Sequence, residues 1–305
     1  MGITEAIIPI FLVILFGYFV KKAGFFDETT IKEMNRFTFN FLLPILVFLG
    51  ITKSSLELIK LKNLLLILFP TAITLSLSVG SGILLKLNGS RFGTFVQTSI
   101  HGNVSYVGLA VLFYTLGEEA LQKGSFLVGS LILLNNTIGI ISHHLTVKKI
   151  ENGFFKAILS IFKTPVIVAT FAGILFVWKG IRIPQVIFKT MNILSHVTLP
   201  MALIMLGATM KLGFSSGSSL PAIIASIFKL FSLPFFALPI IKFFCIPDVY
   251  AHPAIILLSS PVAISSYVMA RELGGDSKLA SDAIAFSTLL SPLSFVLWNH
   301  VLGIK

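Results

Sequence analysis

The sequence predicts an all-α membrane protein with ten transmembrane helices, which form two inverted repeats of five helices each. Three observations predict this fold class. Of the 305 residues, 55% are hydrophobic and only 11% are charged, whereas a soluble domain carries about 25% charged residues. Apolar runs repeatedly approach the roughly 20 residues that cross a bilayer as a helix. Marker residues of the first half also recur in the second half at one fixed offset.

Ten apolar segments, joined by short loops, are the predicted spans. They cover residues 3–20, 37–52, 63–86, 93–115, 124–146, 157–178, 186–210, 220–244, 251–270 and 280–302. The apolar part of the first segment follows Glu5 and no basic residue, and no small-residue cleavage site comes after it. We therefore interpret this segment as a retained span and not as a signal peptide.

The internal repeat has an offset of 156 residues. The matched positions include Pro9 with Pro165, Gly17 with Gly173, Gly24 with Gly180, and Pro44 with Pro200. Proline and glycine matches carry weight in an apolar chain because these residues mark backbone geometry. The predicted units are residues 1–146 as the first repeat, 147–156 as a short connector and 157–305 as the second repeat. An odd number of spans inverts the second copy, which is the design of secondary transporters with a site at the repeat interface.

Basic residues in the loops predict the orientation. Lys and Arg are more numerous on the side that holds the loop after the first span, so this side is predicted to be cytoplasmic and both termini to lie outside. The predicted location is the plasma membrane, which is the inner membrane of a bacterium. The net charge of +11 would favour a nucleic-acid partner in a soluble protein, but in short loops it favours contacts with lipid headgroups instead.

The fourth and ninth spans are predicted to be broken helices that cross. Residues 102–112 read GNVSYVGLAVL, and residues 259–270 read SSPVAISSYVMA. Both segments place polar residues and helix breakers at membrane depth, where irregular backbone is tolerated only inside protein or beside a water-filled cavity. Crossed helix breaks would present free N–H groups and positive half-helix ends, which together favour an anion. The alternative is that Gly and Ser here only allow close helix packing.

The candidate residues follow from these two segments and from an amide pair in the fifth span. The predicted substrate-binding residues are Asn103, Ser105, Tyr106, Asn135, Asn136, Pro261, Ser265, Ser266 and Tyr267. The predicted helix breaks and hinges are Gly102, Gly108, Pro44, Pro200 and Pro261. For the amide pair, a hydrogen bond that only packs two helices is the alternative interpretation.

Charged residues inside the spans are few. All twelve Asp and Glu residues lie near span ends or in loops, which disfavours proton pumps and proton–sodium exchangers because these need intramembrane carboxylates. Cys245 is the single cysteine, so no internal disulfide is expected, and neither a metal nor another cofactor is predicted. Lys229 lies within the eighth span, and we expect it to extend to the headgroups. The alternative is a positive charge that guides an anion.

These segments resemble the auxin efflux carrier family, which comprises plant auxin exporters and their bacterial relatives. The resemblance covers nearly the whole chain and rests on FNFLLPILVFLGIT (39–52), GNVSYVGLAVL (102–112), TLPMALIMLGATM (198–210), SSPVAISSYVMARELGGD (259–276) and STLLSPLSF (287–295). It implies ten spans in two inverted repeats, crossing broken helices in spans four and nine, transport of organic anions and a homodimer. The short connector matches the bacterial branch, whose members are linked to dicarboxylates such as malate or malonate. Family members often have Pro in span four, where this chain has Ala110.

The predicted function is therefore a secondary transporter that moves a small organic anion by alternating access. Two alternatives stay open at this point. One is a sodium-coupled organic-anion symporter of the bile-acid-carrier type, which has the same ten-span plan. The other is a membrane sensor without transport. An enzyme is not predicted, because no nucleophile with a base, carboxylate pair or metal cluster lies at membrane depth.

Overall fold

The computed structural model describes residues 3–54, 61–147, 154–210 and 219–303, and in these ranges every regular element is a helix. The predicted all-α class is confirmed. Most of the predicted connector lies outside the described residues, so the boundary between the two units stays a prediction.

Fourteen α-helices are named here in chain order over the described residues. In the first half they are α1 (Ile3–Lys22), α2 (Glu28–Phe37), α3 (Leu43–Thr52), α4 (Leu61–Leu84), α5 (Gly89–Thr98), α6 (Leu109–Thr146) and α7 (Phe154–Phe162). In the second half they are α8 (Pro165–Lys179), α9 (Gln185–Thr209), α10 (Ser219–Ile227), α11 (Leu233–Phe243), α12 (Asp248–Leu258), α13 (Ser265–Glu272) and α14 (Ser277–Val301). Three π-helical turns, Thr38–Leu42, Val104–Gly108 and Phe228–Ser232, lead directly into α3, α6 and α11.

Judged by helix length and composition, the described chain has fewer candidate spans than the ten that the sequence predicts. Six helical stretches of the described chain are long and apolar enough to cross a bilayer, and α7 with α8, bent by 48°, makes a seventh if the pair is one span. The segment named α6 turns sharply at Gly117 (φ 79°, ψ −169°), whose backbone is not helical, so this turn divides α6 into two helical parts. Predicted span 124–146 lies after the turn, and the end of predicted span 93–115 lies before it. The predicted ninth span is divided between α12 and α13. The ten-span arrangement therefore stays a prediction.

Helix α1 packs on α9, and α3 packs on α8, through glycines that bring the backbones together. A Cβ on Gly17 would overlap the carbonyl oxygen of Ile204, and a Cβ on Gly173 would lie 3.5 Å from that of Phe48. Gly173 and Ile204 follow Gly17 and Phe48 by the same 156 positions that separate the sequence repeats. The two helix pairs are therefore equivalent contacts, each of which joins the first half of the chain to the second.

A further contact joins two equivalent positions. The Thr198 hydroxyl donates a hydrogen bond to the carbonyl oxygen of Leu42 at 3.1 Å, and these two residues are also 156 positions apart. Both residues are buried. Equivalent residues meet in this way only close to an axis that relates two repeats.

The hinges predicted at Pro44 and Pro200 are not breaks in the backbone. Helical torsion angles continue from the π turn Thr38–Leu42 into α3, which has Pro44 at its start, and Pro200 lies inside the continuous helix α9. Proline lacks an N–H and its ring displaces the carbonyl four residues earlier, and at Pro44 the wider π turn absorbs this displacement. Here the prolines shape helices without interrupting them.

We predict that Gly207→Ala destabilises the protein, because a Cβ there would overlap the Ile14 carbonyl oxygen of α1. Overpacking of this kind typically costs about 1–3 kcal/mol. Thermal unfolding of the purified protein in detergent should therefore show a lowered midpoint. Gly80→Ala is the matched control, because Gly80 lies within α4 with nothing within 4 Å of the added Cβ. An equal midpoint for the two variants would contradict the close approach of α1 and α9.

Candidate functional site

Two helical paths are interrupted at the places where the sequence predicts broken spans. The first interruption, residues 99–103, separates α5 from the π turn that leads into α6, and the second, residues 259–264, separates α12 from α13. Local chemistry explains both positions. At the first interruption the side-chain oxygen of Asn103 accepts a hydrogen bond from the N–H of Tyr106 at 3.3 Å, which caps the helical run that leads into α6. At the second interruption Pro261 has no N–H with which to continue helix α12.

The two interruptions cross and pair through their backbones. Gly102 and Val262 form an antiparallel bridge. The flanking hydrogen bonds run from the N–H of Asn103 to the Pro261 carbonyl at 2.7 Å and from the N–H of Ala263 to the His101 carbonyl at 2.9 Å. Because an unsatisfied backbone group costs several kcal/mol in an apolar interior, each interruption stabilises the other.

Helix α14 supplies a further acceptor to the crossing. The hydroxyl oxygen of Ser287 accepts a hydrogen bond from the N–H of Val262 at 2.9 Å, and Ser287 is fully buried. Sequence reasoning missed this residue. A serine in an apolar helix has many packing roles, and only the three-dimensional structure brings this one to an orphan N–H.

Backbone N–H groups at the two helix starts beside the crossing have no hydrogen-bond partner among the described residues. They belong to Val104 and Ser105, where the π turn and α6 begin, and to Ile264 and Ser265, where α13 begins. The first N–H groups of a helix have no intrahelical acceptor, and the helix dipole adds partial positive charge there. Two such helix starts flank one crossing, which gives an arrangement suited to a carboxylate or a similar anion.

The predicted serines and tyrosine of the crossing differ in their environments. Ser105 is half-buried and Ser265 is exposed, with its Oγ 3.3 Å from His101 Nε2. Ser266 is buried, and its hydroxyl has no hydrogen-bond partner in the described chain. The hydroxyl of Tyr106 lies 3.4 Å from Asn35 Oδ1 of α2. Three of these side chains thus lie at or beside the crossing, whereas Tyr106 extends towards α2.

The amide pair of the predicted fifth span lies on α6. Asn135 is buried and Asn136 is half-buried. Asn135 lies one turn before Gly139, and the face of α6 at Gly139 packs against Gln97 and Met269. In the described chain no hydrogen bond links either amide to the crossing backbone. Their role in binding stays a prediction, as does that of Tyr267, which is half-buried on α13.

The break predicted at Gly108 is not present. Its backbone is helical (φ −59°, ψ −51°), and a Cβ there would overlap the side chains of Ser260 and Leu257. The absence of a side chain at Gly108 allows α12 and the second interruption to pack closely against it. The interruption itself lies earlier, at residues 99–103.

A chain of polar side chains extends from the crossing along α5. Gln97 Nε2 lies 3.4 Å from His101 Nδ1, and Gln97 Oε1 accepts a hydrogen bond from His143 Nε2 at 2.7 Å. Gln97 Nε2 also contacts Met269 Sδ at 3.2 Å. Sequence reasoning missed this chain, although His101 directly precedes Gly102. It links α5, α6 and α13, and so fixes the helices around the crossing.

The position of the Lys229 side chain contradicts the expectation that this side chain extends to the headgroups. The residue is 1% exposed, and its ammonium nitrogen donates a hydrogen bond to the carbonyl oxygen of Leu258 at 2.5 Å. Leu258 is the last residue of α12. The side chain of Lys229 therefore ends at the crossing and not at the membrane surface.

A cavity of about 180 Å³ lies between α3, α6 and α9, away from the backbone bridge. Polar side chains in its lining include Lys53, Glu118, Asn192 and His196, and Lys53 pairs with Glu118 at 2.7 Å. Of the predicted site residues only Pro200 lines this cavity. Clefts between helices are typical places for small ligands, although the crossing residues themselves lie elsewhere.

The sequence profile of a family described as Membrane transport protein matches residues 2–153 and 150–299. The chain belongs to this family, the auxin efflux carriers and their relatives. The resemblance drawn from the sequence is thereby confirmed, and the two matched segments correspond to the two halves of the chain. This multi-pass membrane protein is a transporter and not an enzyme.

Relatives match along almost their full length. An uncharacterized transporter of Methanocaldococcus jannaschii is 26% identical over 98% of both chains. An uncharacterized transporter of Methanothermobacter thermautotrophicus is 27% identical over 99% of both. A protein of Rhizobium meliloti named "Putative malonate transporter" is 23% identical over 95% of this chain and 92% of its own.

We predict that Asn103→Ala lowers the stability of the protein, because it removes the oxygen that caps the helix after the first interruption. Loss of such a cap costs about 1 kcal/mol, which thermal or denaturant unfolding in detergent measures. Asn88→Ala is the matched control, since Asn88 precedes α5 but its side chain makes no capping hydrogen bond. The capping role is refuted if both variants unfold like the wild type.

Proposed function

We propose that this protein is a secondary transporter that carries a small carboxylate across the membrane by alternating access. In this proposal ten spans form two inverted repeats, and the substrate binds where the two interrupted spans cross. The relative named for malonate transport supports a dicarboxylate as the substrate class. The Membrane transport protein family supports carriage over sensing.

The observation that supports the binding site most strongly is the pair of helix starts at the crossing whose first N–H groups are free. The free N–H groups of Ser105 and Ser265 belong to helices from the two halves of the chain, which meet at the Gly102–Val262 bridge. Backbone donors that are already fixed lose little entropy on binding. A dicarboxylate, with two oxygens at each end, suits two groups of donors.

The cavity beside α3 and α9 offers a route towards this site. It is lined by Phe113 and Tyr114, which lie about two helical turns after Tyr106 in the continuous run from the π turn into α6. The cavity also reaches the ion pair of Lys53 and Glu118, and these residues belong to loops predicted to lie outside. We infer that the cavity is an entry chamber on the outer side.

Uptake by the purified protein in liposomes tests the proposal. We expect uptake of radiolabelled malonate and competition by other small dicarboxylates, and no competition by the uncharged diamide of malonate. Asn103→Asp is the informative variant, because it keeps the capping oxygen but places a negative charge at the proposed anion site. This variant should unfold like the wild type and lose at least about tenfold in uptake through charge repulsion. Absence of uptake for every carboxylate tried would refute the proposed function.

The predicted orientation can be tested with the single cysteine. Cys245 is exposed in the loop between α11 and α12, which lies outside if both termini are outside. We expect a membrane-impermeant maleimide to label intact spheroplasts, and Cys245→Ser to abolish this labelling. Labelling that requires permeabilised membranes would mean that the orientation is reversed.

A further inference from the structure

The surroundings of Lys229 are unusual for a charged residue in an apolar span. Lys229 lies in the π turn Phe228–Ser232 and is 1% exposed, although lysine is almost never fully buried without a partner. Its ammonium nitrogen contacts the Leu258 carbonyl at 2.5 Å. Because α12 ends there, this carbonyl belongs to the negative end of the half-helix, where a cation is stabilised.

The same side chain also touches the other interrupted segment. A Cβ on Gly102 would overlap the Cε and Nζ atoms of Lys229. Only a residue without a side chain leaves this space, so Gly102 allows the lysine to reach the crossing. Lys229 therefore contacts the first interruption and the end of α12 just before the second one, and it does so from a third element.

The ammonium group has hydrogen-bonding capacity that the protein does not use. Lysine has three N–H donors, and in the described chain Leu258 is the acceptor for one of them. Among the described residues no carboxylate pairs with Lys229. A buried ammonium with two free donors requires an anion or a polar ligand beside it.

We propose that Lys229 is the resident cation of the transport site and determines its specificity for anions. This inference rests on the proposed function and deepens it. The ammonium occupies the end of α12 as a free coupling cation would, and it donates its remaining N–H groups to a carboxylate held at the crossing. Transport of the anion then needs no sodium ion, because the compensating charge is part of the chain.

A purely structural role is the competing explanation. In that case Lys229 only closes the last turn of α12, and its replacement would lower stability without changing the recognition of an anion. The two roles differ in what the ligand does to the folded protein. A ligand that binds the native state raises its unfolding temperature, so the shift caused by malonate reports binding separately from the basal stability.

The decisive variants are Lys229→Met, which keeps the apolar stem, and Lys242→Met as the control. Lys242 is an exposed lysine at the end of the same predicted span, so its replacement removes the same charge away from the crossing. We expect Lys229→Met to raise the KM for malonate by roughly tenfold to a hundredfold, as loss of a charged hydrogen bond does. It should also abolish the thermal shift caused by malonate, and Lys242→Met should leave both unchanged.

The inference is overturned if folded Lys229→Met keeps its malonate KM and thermal shift within about threefold and about 1 °C of the wild type. A wild-type experiment decides the case in which this variant does not fold. Malonate uptake should be equal with sodium or with N-methyl-D-glucamine as the external cation, and a strict sodium requirement would refute the resident cation. If the wild-type protein takes up none of the carboxylates under either condition, the proposed function fails and not this inference alone.

Discussion

The structure depends on the need to satisfy backbone hydrogen bonds in a region without water. A helix that stops inside an apolar span leaves N–H and C=O groups that lipid cannot solvate. Here two stopped helices solve the problem together, because Asn103 and Ala263 donate across the crossing to Pro261 and His101. The donors that this pairing does not consume lie at the helix starts. Most backbone groups at the crossing are thus paired, and the few N–H groups that stay unpaired make the crossing polar.

The sequence predicted the segments that cross because their backbone chemistry is visible in single residues. The missing N–H of Pro261 and the capping side chain of Asn103 are properties of single residues. Proline alone does not decide the outcome, because Pro200 lies inside a continuous helix. Gly108 misled the prediction, since a glycine that permits a break cannot be distinguished from one that permits close packing. Lys229 misled it for a related reason: snorkelling and burial differ only in the direction of the side chain, which the packing of other helices decides.

The sequence likewise predicted the repeat from its matched residues, but it could not predict which residues of the two halves touch. The offset of 156 residues appears in sequence as matched glycines and prolines, and the structure uses it in paired contacts such as Gly17 with Ile204 and Gly173 with Phe48. Sequence could not reveal that Thr198 would meet Leu42 or that Ser287 would accept a hydrogen bond at the crossing. Such features depend on how distant segments meet.

The backbone bridge between Gly102 and Val262 also limits how the molecule can move. Separation of the two interrupted segments would strand their N–H and C=O groups in a medium of low polarity. In the proposed alternating-access cycle both segments would therefore move as a single rigid block. The moving boundary must then run elsewhere, between this block and the helices that surround it. The cavity between α3, α6 and α9 leaves unfilled space along part of this boundary, because α6 continues from the first interruption.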